Sequence, residues 1–217
     1  ARHTLNLSLQ QLWEYSEARE AEIIANEDKL DLYEDHLGSY LVQISQHGVS
    51  MDDIRTVSHL LHAISDFERI GDHALNIQKA LRFSGNAEQE LQVLQAALMD
   101  TVDKSFASFE RNSAHAATEV EPLEETVDRL TEEIRSRHIS RLQAGQCTSQ
   151  MGFILNDLLV NIERISDHCS NIAVSVIEEK RDHVDRHAYL SKMKDQGEFN
   201  ALLSANLQKY KLPENDL

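Results

Sequence analysis

The chain has little of the residues that make turns and β-sheets. Among 217 residues there are only 2 prolines and 7 glycines, and aromatic residues make up 6%. All-β and collagen-like folds need more turn residues than this. The longest stretch without formal charge, residues 36–51, contains Ser, Gln, Gly and His rather than a continuous apolar run. Because a membrane helix needs about 18 or more apolar residues in succession, the sequence predicts no membrane span.

Cysteine is equally scarce. Cys147 and Cys169 are the only two, and they form neither a CxxC motif nor a metal-binding spacing. This usage is typical of a reducing compartment. No signal peptide is visible either. We therefore expect a cytoplasmic location.

Positively charged residues are also few compared with negatively charged ones. Lys and Arg number 21 against 37 Asp and Glu, which gives a formal charge of −16. Such a chain repels phosphate backbones at long range, so nucleic acid is not expected as a partner. Apolar residues are 41%, which is too many for a disordered chain.

The apolar residues recur at helical spacing almost throughout. The clearest stripe runs from Leu155 to Val176 in steps of three and four residues, and a similar stripe runs from Leu60 to Leu81. Asp52 is a plausible N-cap for the second of these stripes. Pro122 either starts a helix in its first turn or kinks a long one. The predicted helices span residues 4–18, 20–46, 52–82, 88–117, 120–144, 150–182 and 185–209.

The most informative feature is an internal repeat. Residues 66–77 and 161–172 are identical at seven of twelve positions, at an offset of 95 residues. A second pair of segments, 26–33 and 123–130, aligns at an offset of 97. One duplicated unit of three amphipathic helices would explain both pairs.

The predicted fold is therefore all-α, with two pseudo-symmetric three-helix bundles and a C-terminal helical extension. The first unit spans residues 1–86, the second spans 87–182, and the extension spans 183–217.

The repeated element carries a Glu-x-x-x-Asp pair. Residues i and i+4 lie on the same face of a helix, so the two carboxylates of a pair project together. If the helices that carry these pairs face each other, four carboxylates converge, which is expensive unless a cation neutralises them. All-oxygen ligands suit hard cations. Four pairs occupy repeat-equivalent positions: Glu27 with Asp31, Glu68 with Asp72, Glu124 with Asp128, and Glu163 with Asp167.

Two other interpretations of the acidic pairs remain open. Arg69 and Arg164 follow two of the glutamates, so the motif could instead form interhelical ion pairs that fix the bundle. A carboxylate-bridged di-iron enzyme is a further alternative, but such sites use Glu-x-x-His, and no Glu in this chain has His three residues later. We therefore expect a protein without catalytic residues.

Both copies of the motif, Glu68-Arg-Ile-Gly-Asp-His73 and Glu163-Arg-Ile-Ser-Asp-His168, resemble the PhoU family of phosphate-uptake regulators. The resemblance extends over about residues 5–182, and the segment from Met51 to Ile77 is its most characteristic part. It implies an all-helical fold of two three-helix bundles that bind metal clusters of iron or zinc, with manganese also compatible with the donors. Carried over, the metal ligands are Glu27, Asp31, Glu68, Asp72, Glu124, Asp128, Glu163 and Asp167.

The resemblance also implies a function in phosphate transport. The segments 185–190 and 209–212 look like the C-terminus of bacterial Na⁺/phosphate cotransporter-type proteins, which carry a PhoU-like domain after a membrane domain. The missing initial Met and a short first helix agree with a soluble piece of such a chain. The expected function is then regulation at the inner face of the membrane, with a membrane transporter domain as partner in the same or another chain. The alternative is a free-standing negative regulator of phosphate uptake and signalling.

Two further partners follow from the same resemblance. A bound metal could present open coordination positions to phosphate, since a polyvalent cation lets an acidic surface hold an anion. A homodimer is also possible, because some family members dimerise.

Overall fold

The structure is a computed structural model, and it describes residues 1–46, 50–78, 83, 85–180 and 197–214. Every regular element in these ranges is a helix. None of these helices is both long enough and apolar enough to cross a membrane. The helices are α1 (Arg2–Gln11), α2 (Glu17–Ser45), α3 (Met51–Ile77), α4 (Asn86–Glu110), α5 (Ala114–Ala117), α6 (Val120–Gln143), α7 (Ser149–Lys180) and α8 (Gly197–Lys209).

Helices α1, α2 and α3 form the first three-helix unit. Leu5 and Leu9 of α1 and Ile70 and Ala74 of α3 are all fully buried in the core. Helix α2 starts at Ser16, whose side chain accepts a hydrogen bond from a first-turn amide. This start shows that the predicted first helix, 4–18, is too long, because the chain turns after Gln11 to begin α2.

The N-cap of α3 differs from the predicted one. Ser50 caps the helix, and the Asp53 side chain bonds back to the Ser50 amide, which completes a capping box. Asp52 lies within the first turn, so its prediction as the cap was wrong. The helix end predicted at residue 46 falls at Ser45, and residues 47–49 lie outside the described ranges.

Helices α4, α6 and α7 form the second unit. The predicted single helix over 88–117 is wrong, because α4 ends at Glu110 and a separate short helix follows. Asn112 has a positive φ of 45°, which a helix interior does not tolerate, and Ser113 then caps the short α5. Pro122 lies in the first turn of α6, where its missing N–H leaves no hydrogen bond unmade.

Helices α3 and α7 pack against each other at the centre of the molecule, and the repeated motif makes reciprocal contacts there. The His73 Nδ1 lies 3.0 Å from Asn161 Oδ1, and the His168 Nδ1 lies 2.8 Å from Asp66 Oδ1. The two imidazole rings stack with centroids 5.7 Å apart. Because Asp66 and Asn161 are repeat-equivalent, the contact has pseudo-two-fold symmetry. The predicted pair of pseudo-symmetric three-helix bundles is confirmed.

A first prediction concerns this central contact. The Asp66 carboxylate accepts from both His168 and Asn171, and its side chain is 14% exposed. Asp66→Ala removes the acceptor of the His168 ring nitrogen and one acceptor of the part-buried Asn171 amide, so we expect a loss of about 1–3 kcal/mol in the free energy of unfolding. Urea denaturation measures it. Asp52→Ala, at a 93% exposed side chain, is the control and should change stability little. Equal losses in both variants would contradict the structural role of Asp66.

Helix α8 packs on α6 and forms the predicted C-terminal helical extension. Phe199 and Leu203 of α8 join the core, and Tyr210 and Lys209 both bond to Asp100 of α4. Residues 185–196 of the predicted last helix lie outside the described part of the chain. The domain boundaries at residues 86 and 182 stay predictions.

Candidate metal centre

The four acidic residues predicted in the first unit lie together on the pair formed by α2 and α3. One carboxylate oxygen from each of Glu27, Asp31 and Asp72 lies within 4.8 Å of the other two. Glu68 joins them through a hydrogen bond to Asp72. The helices approach closely here because α3 has a glycine at residue 71, where a Cβ would overlap the Leu30 side chain.

The electrostatics of this cluster favour added positive charge. Burial, followed by the neighbouring Asp31 and Asp72 carboxylates, raises the pKa of Glu27 to about 7. Burial and Asp72 likewise raise the pKa of Glu68 to about 7. Both glutamates hydrogen-bond to Asp72, and a bond between two carboxyl groups requires a proton on one of them. Without a cation, protons therefore hold the cluster together.

A pH dependence of stability follows for the metal-free protein. The folded-state pKa of Glu68 lies above its ordinary value of 4.5, so the folded protein binds more protons than the unfolded chain between about pH 4.5 and 7. The free energy of unfolding should therefore fall as the pH rises through this window. Denaturation in chelator at pH 5 and pH 8 measures the fall.

Glu68→Gln should make this fall smaller, because the neutral amide does not titrate. Glu198→Gln, at an exposed residue of α8, is the control and should keep the wild-type pH dependence. An unchanged fall in Glu68→Gln would contradict the raised pKa.

The four acidic residues predicted in the second unit are arranged differently. The Glu163 carboxylate accepts a hydrogen bond of 2.7 Å from Thr131 and forms an ion pair of 3.2 Å with Arg135. Arg164 lies 3.6 Å from Asp167. Within the described residues, the metal-like grouping of carboxylate oxygens occurs only in the first unit, so Glu124, Asp128, Glu163 and Asp167 are not brought to that spacing.

Burial raises the pKa of Asp167, with Glu163 and Glu121 adding to the rise and Arg164 and His168 opposing it. In the second unit, arginine side chains therefore neutralise part of the acidic charge: Arg135 of α6 pairs with Glu163 between helices, and the motif arginine, Arg164, pairs with Asp167 within α7. The predicted interhelical pairing through the motif arginine thus differs from the pairing found here, and the metal interpretation stays a prediction for the first unit.

Residues about one to two turns beyond the acidic pair, on α2 and on α6, account for the different surroundings of the two acidic groups. At the offset of 97 residues, Arg135 of α6 corresponds to Gly38 of α2, and Thr131 corresponds to Glu34. The first unit therefore has an extra carboxylate, Glu34, which contributes to the raised pKa of Glu68. It has no arginine at the equivalent position. Sequence reasoning missed this pair of differences, although extending the second repeat beyond residue 33 would have found it.

The donor set of the first unit fits a hard divalent or trivalent cation. It offers carboxylate oxygens from Glu27, Asp31, Glu68 and Asp72, and the raised pKa values of Glu27 and Glu68, about 7, mean that metal binding would compete with protons there. The ligand roles of all eight acidic residues stay predictions. Fold and site together define a duplicated helical-bundle protein with an open acidic cluster in its first unit.

The sequence matches a known protein family over most of its length. The PhoU domain family matches residues 1–81 and 94–176, so the chain belongs to the PhoU family. The Thermotoga maritima phosphate-specific transport system accessory protein PhoU homolog 1 is 20% identical over 181 residues, which cover 80% of this chain and 78% of that protein. The Pseudomonas aeruginosa PhoU homolog of the same name is 27% identical over 184 residues, 80% of this chain and 75% of that protein.

Two crystal structures share the fold. The phosphate transport system regulatory protein PhoU from Streptococcus pneumoniae superposes with a TM-score of 0.76 at 20% identity, covering 85% of this chain and 90% of that one. PhoU from Pseudomonas aeruginosa gives a TM-score of 0.72 at 21% identity, covering 83% and 90%. The resemblance read from the repeated motif is confirmed.

Proposed function

We propose that this protein is a PhoU-type negative regulator of phosphate uptake and signalling, and that a metal ion at the first acidic cluster is part of its regulatory mechanism. Membership of the family supports the regulatory function. The convergence of Glu27, Asp31 and Asp72 supports the metal. The proposed metal is of the iron, zinc or manganese class, each of which carboxylate oxygens can ligate, and the donors alone do not select among them.

The relatives support a free-standing regulator better than a domain attached to a Na⁺-coupled transporter. Both curated relatives are named as accessory proteins of a phosphate transport system, and the chain covers about three quarters of each. A membrane transporter in a partner chain is then the target of regulation, and the proposed location is the cytoplasm at the inner face of the membrane. No catalytic activity is proposed, in keeping with the accessory function in these names.

Phosphate uptake in cells tests the regulatory function. Deletion of the gene should raise uptake of radiolabelled phosphate in phosphate-rich medium, and the wild-type gene should restore repression. Unchanged uptake after deletion would contradict regulation. A variant that has lost metal but still restores repression would contradict only the regulatory contribution of the metal.

Gly38→Arg tests the metal site without altering a proposed ligand. It gives the first unit the arginine that pairs with Glu163 in the second, and a Cβ at residue 38 meets only Leu61, at 3.9 Å. The guanidinium should neutralise Glu68, weaken metal binding at least about tenfold and stabilise the metal-free protein. Calorimetric titration with Mn²⁺ or Zn²⁺ and urea denaturation in chelator measure the two effects.

The matched exchange in the second unit is Arg135→Gly. It frees the Glu163 carboxylate from its cation and should leave metal binding at the first cluster unchanged. Equal metal affinity in wild type and Gly38→Arg would place the metal elsewhere than the first cluster.

Phosphate as a ligand of the bound metal is the last part of the proposal. An acidic surface repels phosphate, so binding should require metal. Titration of the Zn²⁺-loaded protein with inorganic phosphate should show saturable binding that disappears in chelator. Binding of equal strength with and without metal would contradict this route.

A further inference from the structure

The loop between α6 and α7 holds a cysteine beside the end of α6. Helix α6 ends in a Schellman motif, in which the Gln146 amide bonds to the Arg141 carbonyl at 2.9 Å. The Gly145 amide bonds to the Leu142 carbonyl at 3.0 Å, and Gly145 has the positive φ of 70° that this motif requires. The loop therefore folds back on the last turns of α6 and places the half-buried Cys147 next to that helix.

One histidine of α6 lies against this thiol. The Cys147 Sγ is 3.9 Å from both ring nitrogens of His138 and 3.9 Å from the His138 carbonyl oxygen. His138 is 7% exposed, and a Cβ at Gly152 of α7 would lie only 3.0 Å from its Nε2. Among the residues that the structure describes, no other group is within hydrogen-bond distance of the ring nitrogens. The imidazole is thus a largely buried polar group whose one polar neighbour is a thiol.

The repeat shows that packing does not require this histidine. At the offset of 97 residues, His138 corresponds to Leu41 of α2. Leu41 is 8% exposed, so the two residues are buried to the same extent. Burial of an imidazole without a strong hydrogen-bond partner costs free energy that burial of a leucine does not. A chemical function of the pair formed by His138 and Cys147 would explain this cost.

A cavity of about 440 Å³ opens beside the pair. Cys147 and His138 both line it, together with Phe83 and Asn86 from the connection between the two units and Met151 from α7. Cavities of this size hold small organic molecules. The thiol is therefore accessible to a small reagent that enters between the two units.

The surroundings of the imidazole keep it neutral. Burial, followed by the guanidinium of Arg141, lowers the pKa of His138, and Glu90 of α4 opposes this. Arg135 lines a second cavity that reaches the same ring. The imidazole is uncharged at pH 7, so one ring nitrogen is ready to accept a proton. Because the thiol is equally far from both nitrogens, either tautomer can take its proton.

The ligand count and the second cysteine indicate which chemistry suits this pair. Within the described part of the chain, no third possible metal ligand joins the thiol and the imidazole, whereas a structural zinc needs four. Cys169 is fully buried, and burial raises the pKa of its thiol. It also lies about 25 Å along α7 from Gly152, which contacts the His138 ring. A disulfide partner for Cys147 must therefore come from outside the described residues.

We propose that Cys147 is a modification site that forms a mixed disulfide with a low-molecular-weight disulfide in this cavity, with His138 as the proton acceptor. The thiol gives its proton to the imidazole while its sulfur attacks one sulfur of the disulfide. The new S–S bond forms as the old one breaks, and the departing thiolate takes the proton from the imidazolium. One disulfide is consumed and one thiol is released, so no other oxidant is needed. The reaction makes the protein responsive to the redox state of small thiols and uses no residue of the acidic cluster.

Glutathione disulfide is the probe, added at pH 7 to the reduced protein at its natural length in the presence of chelator. Peptide mass spectrometry should find a glutathionyl group on Cys147 and none on Cys169. His138→Leu, which introduces the residue of the equivalent position on α2, should slow this reaction at least about tenfold. At about pH 10 the thiol ionises without a base, so the two rates should converge. His115→Gln, at an exposed histidine of α5, is the control and should react at the wild-type rate.

Unfolding of the variant cannot imitate this result, because it would expose both cysteines, speed the reaction and label Cys169. Equal rates in wild type and His138→Leu at pH 7 would overturn the proposal, as would labelling of Cys169 at the rate of Cys147. A slow reaction of His138→Leu that persists at pH 10 would assign the effect to access instead of proton transfer. An absence of the mixed disulfide would remove the site altogether. Asp72→Asn should react at the wild-type rate, so failure here is distinguishable from failure of the metal site.

Discussion

Asp72→Asn should abolish high-affinity metal binding while it stabilises the metal-free protein at pH 8. Asp72 is the residue that both Glu27 and Glu68 contact, and its carboxylate contributes to the raised pKa of each. Its removal deletes one ligand and also relieves the repulsion that metal or protons otherwise relieve. Loss of folding cannot produce this combination, because it would lower stability and binding together.

Elemental analysis and urea denaturation measure the two effects, on protein prepared without a chelating column. Asp167→Asn is the matched control at the repeat-equivalent position, where the neighbouring Glu163 is paired with Arg135. It should retain the metal of the first cluster. Full metal content in Asp72→Asn would show that the first cluster does not bind the metal. Equal loss of metal in Asp72→Asn and Asp167→Asn would instead support two equivalent metal sites, one in each unit.

Among the variants considered, Glu90→Ala should cause the largest loss of stability, about 3–5 kcal/mol in the free energy of unfolding. Glu90 is 1% exposed, and its two carboxylate oxygens accept bonds of 2.9 and 2.8 Å from the Arg141 guanidinium. Arg137 makes a third bond to it. Truncation therefore leaves two largely buried arginines without their common partner.

Two companion variants separate charge from packing. Glu133→Ala removes a second acidic partner of Arg137, whose guanidinium also donates to the Pro213 carbonyl, but at a 53% exposed side chain, so it should cost less than about 1 kcal/mol. Glu90→Leu combined with Arg141→Leu removes both members of the main pair and should recover much of the loss, because the Arg141 guanidinium is no longer buried without its partner. A double variant as unstable as Glu90→Ala would assign the loss to packing instead.

The spacing of apolar residues predicted the helical class and most helix positions, because α3, α4, α6 and α7 each have one face in the core; α2 buries only Ile23 and Leu41. The break at Asn112 was missed, since it depends on one residue with positive φ rather than on periodicity. The cap of α3 was missed by two residues, because Ser50 and Asp53 form a reciprocal pair that outcompetes Asp52.

The acidic site was predictable only in part. Spacing of i to i+4 predicted that Glu27 lies beside Asp31, but the sequence left open which helices share a cluster, and it is the structure that brings the pairs of α2 and α3 together. The same reasoning treated both units as equivalent, because it stopped at the eight acidic residues. Arg135 reaches Glu163 from the adjacent helix, and such a contact follows from tertiary packing rather than from spacing within one helix.

The central contact between α3 and α7 also has a consequence for the history of the chain. His168 faces the carboxylate of Asp66, whereas His73 faces the amide of Asn161. In a homodimer every substitution appears twice, so a carboxylate on one side and an amide on the other could not arise. The same holds for Gly38 and Arg135. Once the two halves belong to one polypeptide, each can be substituted independently, which a symmetric homodimer of one half does not allow. The two halves of this chain are therefore no longer interchangeable.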